Sequence, residues 1–599
     1  MKRRTFLSSL AGAAGLLMLN PALAAKAMFR RVRPGDKNWP SLAAWRQLRD
    51  AVGGNLVEVA SPLAGCNKQA AGAACAGAMD ALKNPYYIRD SVALTQSLGW
   101  ADAWTTQPSR YAVACSNTQD VVAAVNFARE HKLRLVVKGG GHSYQGSSNA
   151  PDSLLIWTRH MDKIVMHDGF VGQGCAGTQA PSPAVTVDAG AIWMHTYNAV
   201  TTKGGRYVQG GGCATVGVAG LIQSGGFGSF SKNYGMASAS LLEAEIVTAD
   251  GVVRIANACA NPELFWALKG GGGGSLGVVT KVTLRTHALP EHFGVVRFEV
   301  FAKSDDAYRR LIDQILAYYS ANLFNPHWGE KLVFETGNTL SVDMLFQGLD
   351  KEQATAAWQG FLDWLKEYPA DFSLNAAPLV LAVPARKLWD PAFLKMLPGV
   401  TLADGRPGAP PENLFWSDNV QEAGQFLQGY QSTWVPASLL EAGRRKLLAN
   451  ALFTATRSWE VALHLNKGLA GAPAEAITAA RDTATNPVLL ESFALAICAG
   501  EQELRHPHVA GYEPDMAKAR EAGRAITRAT QALRAVVPNV GSYVSESDYF
   551  EKNWQSAFWG TNYPRLLAAK QKYDRDGLFF VRHGVGSEAW SEDGFTKLR

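Results

Sequence analysis

Apolar residues recur at helical spacing between 116 and 133, where Val121, Val122, Val125 and Ala128 share a face behind a cap-like start of Ser116 with Gln119 three residues on. This predicts an amphipathic helix that feeds a strand over the apolar run 135–138. Further strands are predicted at 153–157, 184–189, 243–248 and 277–286. Beyond Leu289-Pro290 the pattern changes: strand-like runs at 295–301, 331–346, 460–466 and 491–499 alternate with amphipathic helical patterns at 304–320, 351–368, 444–457 and 515–536. Consecutive strands of this kind predict an antiparallel sheet covered by helices, so the chain reads as α+β. The implied division is a first domain over 101–290, a second over 291–535 and an aromatic-dense tail over 536–599 that packs back on the first domain. Residues 25–100 are rich in Ala, Gly and Pro with little periodicity and predict an extended arm. The surroundings of Trp416, Tyr430 and Trp434 read as polar loop, their aromatic faces suited to a sugar or to a core.

Composition narrows the class. At 599 residues the chain exceeds a single core, and 47% hydrophobic with 18% charged residues excludes wholesale disorder and a multispan membrane protein. Residues 1–24 combine a twin-arginine head, a short apolar run and Ala-Leu-Ala before a cut after Ala24. They predict an export signal of the twin-arginine type, with a periplasmic or secreted destination, the export machinery as a partner and no stable membrane insertion. Lys2, Arg3 and Arg4 lie in that leader; without them 55 basic face 52 acidic residues, and the remaining +3 makes no case for a nucleic-acid partner. An oxidising destination admits disulfides among seven cysteines, with Cys66–Cys75 the first pair to expect and Cys175–Cys259 the second, though connectivity does not follow from sequence. No Cys/His spacing suits zinc, so no metal is expected.

The candidate chemistry lies in three glycine turns, 139–141, 210–212 and 270–274, each bordering a strand. Consecutive glycines admit a pyrophosphate to the backbone, whose N–H groups form an anion nest. The first turn delivers His142 and the second Cys213. A nucleophilic nitrogen and a nucleophilic sulfur beside cradles of one kind suggest a flavin, each able to bond its ring. Walker and dinucleotide glycine fingerprints are absent.

The runs VKGGGHSYQGSS and GGGCATVGVAGLIQSGGFGSFSKNYG, with WGTNY at 559–563 in the tail, resemble the berberine bridge enzyme-like group of the vanillyl-alcohol oxidase superfamily. The resemblance covers about 105–290 and 540–590. It implies a two-subdomain PCMH-type FAD-binding domain, with the second domain's sheet roofing the substrate pocket. It also implies FAD held twice, on His142 through the 8α-methyl and on Cys213 through C6. The cofactor-binding set carried over comprises His142, Cys213, Gly139, Gly140, Gly141, Ser143, Gly146, Gly212, Thr215, Val216, Gly217, Gly220, Gly225, Gly226, Gly228, Tyr234, Gly235, Gly277, Val278, Asn562 and Tyr563. The implied activity is oxidation of a hydroxyl, on a carbohydrate or similar alcohol, by hydride transfer to flavin N5. Val216 falls at an oxygen-gating position and implies O₂ as acceptor, with H₂O₂ as product; a quinone or protein acceptor and a nonenzymatic carbohydrate-binding flavoprotein are the alternatives.

Tyr144 matches a family active-site tyrosine. This chain departs from the family at Phe227, where a tyrosine is common, and at Tyr543-Val544-Ser545-Glu546, where relatives carry Tyr-x-Asn-Tyr. A phenol of ordinary pKa near 10 needs strong tuning to act as a base, whereas a carboxylate does not. Glu546 is therefore the expected base, with Tyr144 and Tyr543 assisting and Asp548 in reserve. In the second domain His464, Asn466 and Lys467 are polar candidates at a strand end.

Overall fold

The computed structural model describes residues 29–66, 72–397, 399–537 and 541–598, so the leader at 1–24 lies outside the described residues. Among them no helix is long and apolar enough to cross a membrane.

Three sheets organise the chain. The first joins Leu56–Glu58, Tyr111–Ala114, Ser153–Trp157 and Arg134–Lys138, the last three in parallel. Against it lies the helix Thr118–Glu130, whose Val121, Ala124, Val125 and Ala128 are buried. Its cap is Asn117, not Ser116: the Asn117 side chain accepts from the backbone N–H of Gln119 and Asp120, because two free N–H groups sit nearer to it. The second sheet is antiparallel, ordered Val253–Asn257, Leu241–Val247, Val278–Arg285, Ser182–Asp188 and Ile164–Phe170.

The third sheet has ten strands and runs from Phe372–Leu374 through His292–Ala302, Thr339–Gln347, Trp328–Phe334, Val461–His464, Ser492–Gln502 and Gln425–Pro436 to Ser97–Trp100 and Trp104–Thr105. Leu379–Pro384 adds to His292–Ala302. The helices Asp305–Tyr318, Lys351–Glu367, Ala442–Thr456 and Met516–Arg534 bury apolar faces in its core.

Two expectations are corrected. The described part of 25–100 is not an extended arm. It holds the helices Leu42–Ala51, Ala73–Ala81 and Pro85–Asp90, and its Ser97–Trp100 strand pairs in parallel with Gln425–Pro436. Trp45 and Leu48, one helical turn apart, suffice to anchor the first helix; the Trp45 ring stacks on Tyr111 at 4.0 Å. The stretch from Gln425 to Pro436 is a twelve-residue strand rather than a loop. Its polar side chains, buried at Ser432 and Thr433 and half-buried at Gln431, are bonded: Gln431 Nε2 donates to Asp548 at 2.9 Å, Thr433 Oγ1 accepts from Arg534 Nε at 2.9 Å, and Ser432 Oγ donates to the Glu546 carbonyl. Buried polar groups are tolerated when so paired, and these bonds fix the tail and the helix Met516–Arg534 against the third sheet.

The tail also meets the third glycine turn and the residue after it. Trp559 Nε1 donates to Gly270 O at 3.0 Å, and the buried Lys570 donates to Ser275 O at 2.6 Å and Phe579 O at 2.7 Å.

Both expected disulfides are present, Cys66–Cys75 and Cys175–Cys259. The second spans 84 residues, and loop-closure entropy for a span of that order contributes about 4.5 kcal/mol. A Cys175→Ala/Cys259→Ala chain is expected to unfold at a clearly lower urea midpoint than the unaltered one. An unchanged midpoint would show that the bridge does not constrain the unfolded chain.

Candidate functional site

The strand Arg134–Lys138 runs straight into the first glycine turn. Lys138 anchors that junction, donating to the carbonyls of Ser91, Val92 and Leu94 at 2.8, 2.8 and 2.9 Å. Burial pushes its ammonium down to about 7. The segment 215–217, just beyond the second glycine turn, lies directly against this one. A Cβ on Gly140 would come within 2.7 Å of Gly217 N and 2.8 Å of Thr215 O, and one on Gly217 within 2.9 Å of Gly140 N. Only two glycines allow backbones this close, and the contact brings His142 and Cys213 to one cavity.

His142 Nε2 shares a 2.9 Å hydrogen bond with Thr215 Oγ1, which leaves Nδ1 as the nitrogen free to carry a substituent. Burial lowers its pKa to about 4, so the ring is neutral near pH 7. The Cys213 turn is clasped by the segment 416–422. Trp416 Nε1 donates to Gly212 O at 3.0 Å, Ala214 N donates to Asn419 Oδ1 at 3.3 Å, and Cys213 Sγ donates to Glu422 Oε2 at 3.4 Å.

The same cavity holds the expected base. Glu546 forms an ion pair with Lys467, both largely buried. Tyr144 stacks on Tyr430 with ring centroids 5.0 Å apart, and the Tyr543 hydroxyl accepts from Gly226 N at 3.3 Å. Burial, followed by nearby carboxylates, pushes the phenols of Tyr144, Tyr430 and Tyr543 up. They stay protonated and act as donors, so proton acceptance falls to the carboxylates. Burial also pushes the Glu422 carboxyl up.

Of the residues singled out from sequence, Gly139, Gly140, Gly141, His142, Ser143, Tyr144, Gly212, Cys213, Val216, Gly217, Gly220, Gly277, Tyr543 and Glu546 line this cavity. Thr215 stands one bond behind, orienting His142. The others lie elsewhere. Gly146 has φ +71° and faces the Trp104 ring. Gly225 and Gly226 pack on Thr485 and Leu221, and Gly228 on the backbone of Gly210. Tyr234 joins an aromatic cluster, 4.6 Å from Tyr207 and 4.8 Å from His287, while Gly235 backs onto Ala476. Val278 is core and its neighbour Val279 lines the cavity, as the two-residue period of a strand requires. Asn562 donates to Thr485 O at 2.7 Å, and Tyr563 donates to Glu588, so both brace the tail.

Asp548 is bonded to Gln431, outside the cavity lining. In the second domain Lys467 reaches the cavity, Asn466 Nδ2 holds Gly228 O at 3.2 Å, and Trp434 is core at 1% exposure. Glu422 escaped sequence reasoning because its segment has no periodicity or motif. The third glycine turn, 270–274, does reach the cavity through Gly272, Gly273 and Gly274, joined by Phe579 to Gly584 of the tail.

These residues fit FAD. Three glycine turns give an elongated anion-tolerant wall, Cβ atoms at Gly212, Gly220 and Gly273 would meet no protein atom within 4 Å, and a neutral imidazole and a thiol open on the same space.

The chain matches two family profiles, the FAD binding domain over residues 109–257 and "Berberine and berberine like" over 542–586. It is 32% identical over 496 residues to the FAD-linked oxidoreductase easE of Arthroderma benhamiae, spanning 81% of this chain and 90% of that one. It is 27% identical over 602 residues to the VAO-type flavoprotein oxidase VAO615 of Thermothelomyces thermophilus, spanning 95% of both. Among solved structures, the VAO-type flavoprotein MtVAO615 from Myceliophthora thermophila C1 superposes with a TM-score of 0.76 at 23% identity, over 95% of this chain and 99% of that one. Glucooligosaccharide oxidase from Acremonium strictum, described with a 6-S-cysteinyl, 8α-N1-histidyl FAD, superposes with a TM-score of 0.61 at 18% identity, over 80% and 92%. With its glycine-walled cavity, matching profiles and full-length relatives, the chain belongs to the berberine bridge enzyme-like FAD-linked oxidases of the vanillyl-alcohol oxidase family and is an FAD-dependent oxidoreductase.

Proposed function

We propose that this oxidoreductase is an exported oxidase that carries its flavin on both His142 and Cys213. In this reading it oxidises a hydroxyl of a carbohydrate or similar alcohol and passes the electrons to O₂, releasing H₂O₂. One observation carries the reading: His142, Cys213, Glu546 and Lys467 line a single cavity. The doubly linked FAD named for the glucooligosaccharide oxidase supports it.

Bound FAD supplies the hydride acceptor. The chain supplies the rest. Glu546, oriented by Lys467, takes the substrate hydroxyl proton. Tyr144, in the cavity lining and backed by the stacked ring of Tyr430, presents a protonated phenol as a donor to a polyhydroxylated substrate. The flanking glycine turns keep bulk away from the flavin wall, and Val216, which lines the same cavity, would govern access of O₂ to it. The leader at 1–24 directs the loaded protein out of the cytoplasm.

The test is acid denaturation followed by peptide mapping, with a peroxide assay across mono- and oligosaccharides and simple alcohols. Flavin is expected on the His142 and Cys213 peptides, and peroxide with a sugar. Flavin lost entirely into the acid supernatant removes the tethers. A substrate that bleaches the flavin without consuming oxygen removes O₂ as acceptor.

A further inference from the structure

We propose that Glu422 is the proton acceptor through which Cys213 forms its bond to the flavin ring, an inference that rests on the doubly tethered reading above. The chemistry calls for such a group. A thiolate, not a thiol, is the nucleophile, and Cys213 is half-buried, its thiol held well above the ordinary range by desolvation first and by Glu422 second. No lysine, arginine or histidine is within bonding distance of its sulfur among the described residues. The contact it does make is to a carboxylate, Sγ to Glu422 Oε2 at 3.4 Å.

The placement of Glu422 is built rather than incidental. It ends the short helix Asn419–Glu422, whose first residue accepts the Ala214 N–H, while Trp416 just upstream donates to Gly212 O. Bonds on both sides of Cys213 thus hold the 416–422 segment in register with the thiol. Among the described residues Glu422 has no ion-pair partner, whereas Glu546 in the same cavity is committed to Lys467. Burial raises the Glu422 carboxyl, which makes it a stronger proton acceptor than an exposed carboxylate would be. The two carboxylates therefore divide the work: Glu546 serves the substrate hydroxyl, and Glu422 serves the thiol.

The S–H bond breaks with its proton going to Glu422 Oε2, and sulfur bonds to ring carbon C6. The C6–H bond breaks with loss of its proton, and the bonding pair stays on the ring. Dioxygen takes up those two electrons with two protons, giving one H₂O₂ per tether formed.

The experiment uses the full chain as produced, with flavin on the Cys213 and His142 peptides quantified separately by mass spectrometry. In Glu422→Gln the glutamine amide still accepts from the thiol but takes no proton. General-base contributions of about 10²–10⁴-fold then predict that Cys213-linked flavin at harvest falls at least tenfold while His142-linked flavin persists. Glu422→Asp, which keeps a carboxylate, is expected to retain part of the Cys213 link. Glu422→Ala incubated with FAD and formate is expected to gain it over hours, with equimolar peroxide, a rescue that a purely structural role does not produce. A fully formed Cys213 link in Glu422→Gln overturns the proposal. So does failure of formate to restore the link in a folded Glu422→Ala chain, a measurement that stands even if the glutamine variant does not fold. A flavin-free Cys213 peptide in the unaltered chain is a different result: it removes the double tether itself, and this inference with it.

Discussion

Glu546→Gln is expected to lower kcat by about 10²–10⁴-fold, the usual contribution of a positioned general base, with flavin content unchanged. The carboxylate is held at three points. Its backbone N–H donates to Tyr543 O at 3.0 Å, its carbonyl accepts from Ser432 Oγ, and its side chain pairs with Lys467 Nζ. Glutamine keeps the shape and an oxygen for Lys467 but accepts no proton. The neighbouring phenols do not substitute, because burial keeps them protonated. None of the three anchors is in a glycine turn, so the cradle is untouched and FAD is retained. The decisive measurement is anaerobic bleaching of the flavin by the sugar that gives most peroxide in the screen; an undiminished rate would take the base role away from Glu546. Lys467→Met is expected to do less damage to the rate but to raise KM as well, since an unpaired carboxylate loses its orientation.

The glycine turns were legible in sequence because their demand is local: a backbone that must approach a ligand or another backbone needs glycine at the contact, and Gly140 against Gly217 is such a place. His142 and Cys213 were legible for the same reason, each adjoining its turn in the chain. Glu422 was not. It sits 209 residues from Cys213, and only the docking of the 416–422 segment makes it a site residue. The strand Gln425–Pro436 was hidden by Gln431, Ser432 and Thr433, polar residues whose partners come from the helix Met516–Arg534 and the tail. Tyr234, Asn562 and Tyr563 fall inside specific motifs yet brace the core and tail. A motif thus marks a supporting scaffold as well as the surface that faces the ligand. At the amino-terminal side, Trp45 and Leu48 give too few apolar positions for a periodic signal, although the Trp45 ring alone meets Tyr111 and Phe127.

Gly140→Ala is expected to abolish most flavin incorporation and to destabilise the chain by about 1–3 kcal/mol, the usual range for overpacking. The new methyl would lie 2.7 Å from Gly217 N and 2.8 Å from Thr215 O. Both are backbone atoms that a rotamer change cannot move, so the first glycine turn and the segment 215–217 that follows Cys213 must separate. Separation stretches the 2.9 Å bond from His142 Nε2 to Thr215 Oγ1, the contact that settles which imidazole nitrogen is free. Misaiming His142 and widening its distance from the Cys213 turn attack both tethers through one methyl group. Gly443→Ala, where an added Cβ meets nothing within 4 Å, is the matched comparison and is expected to stay within about 0.5 kcal/mol of the unaltered chain. The checks are the ratio of flavin to protein absorbance, peptide-mapped flavin on His142 and Cys213, and the urea midpoint of the flavin-free fraction. If Gly140→Ala carries both tethers in full, the close crossing of the two turns is not what brings the histidine and the cysteine to one cofactor.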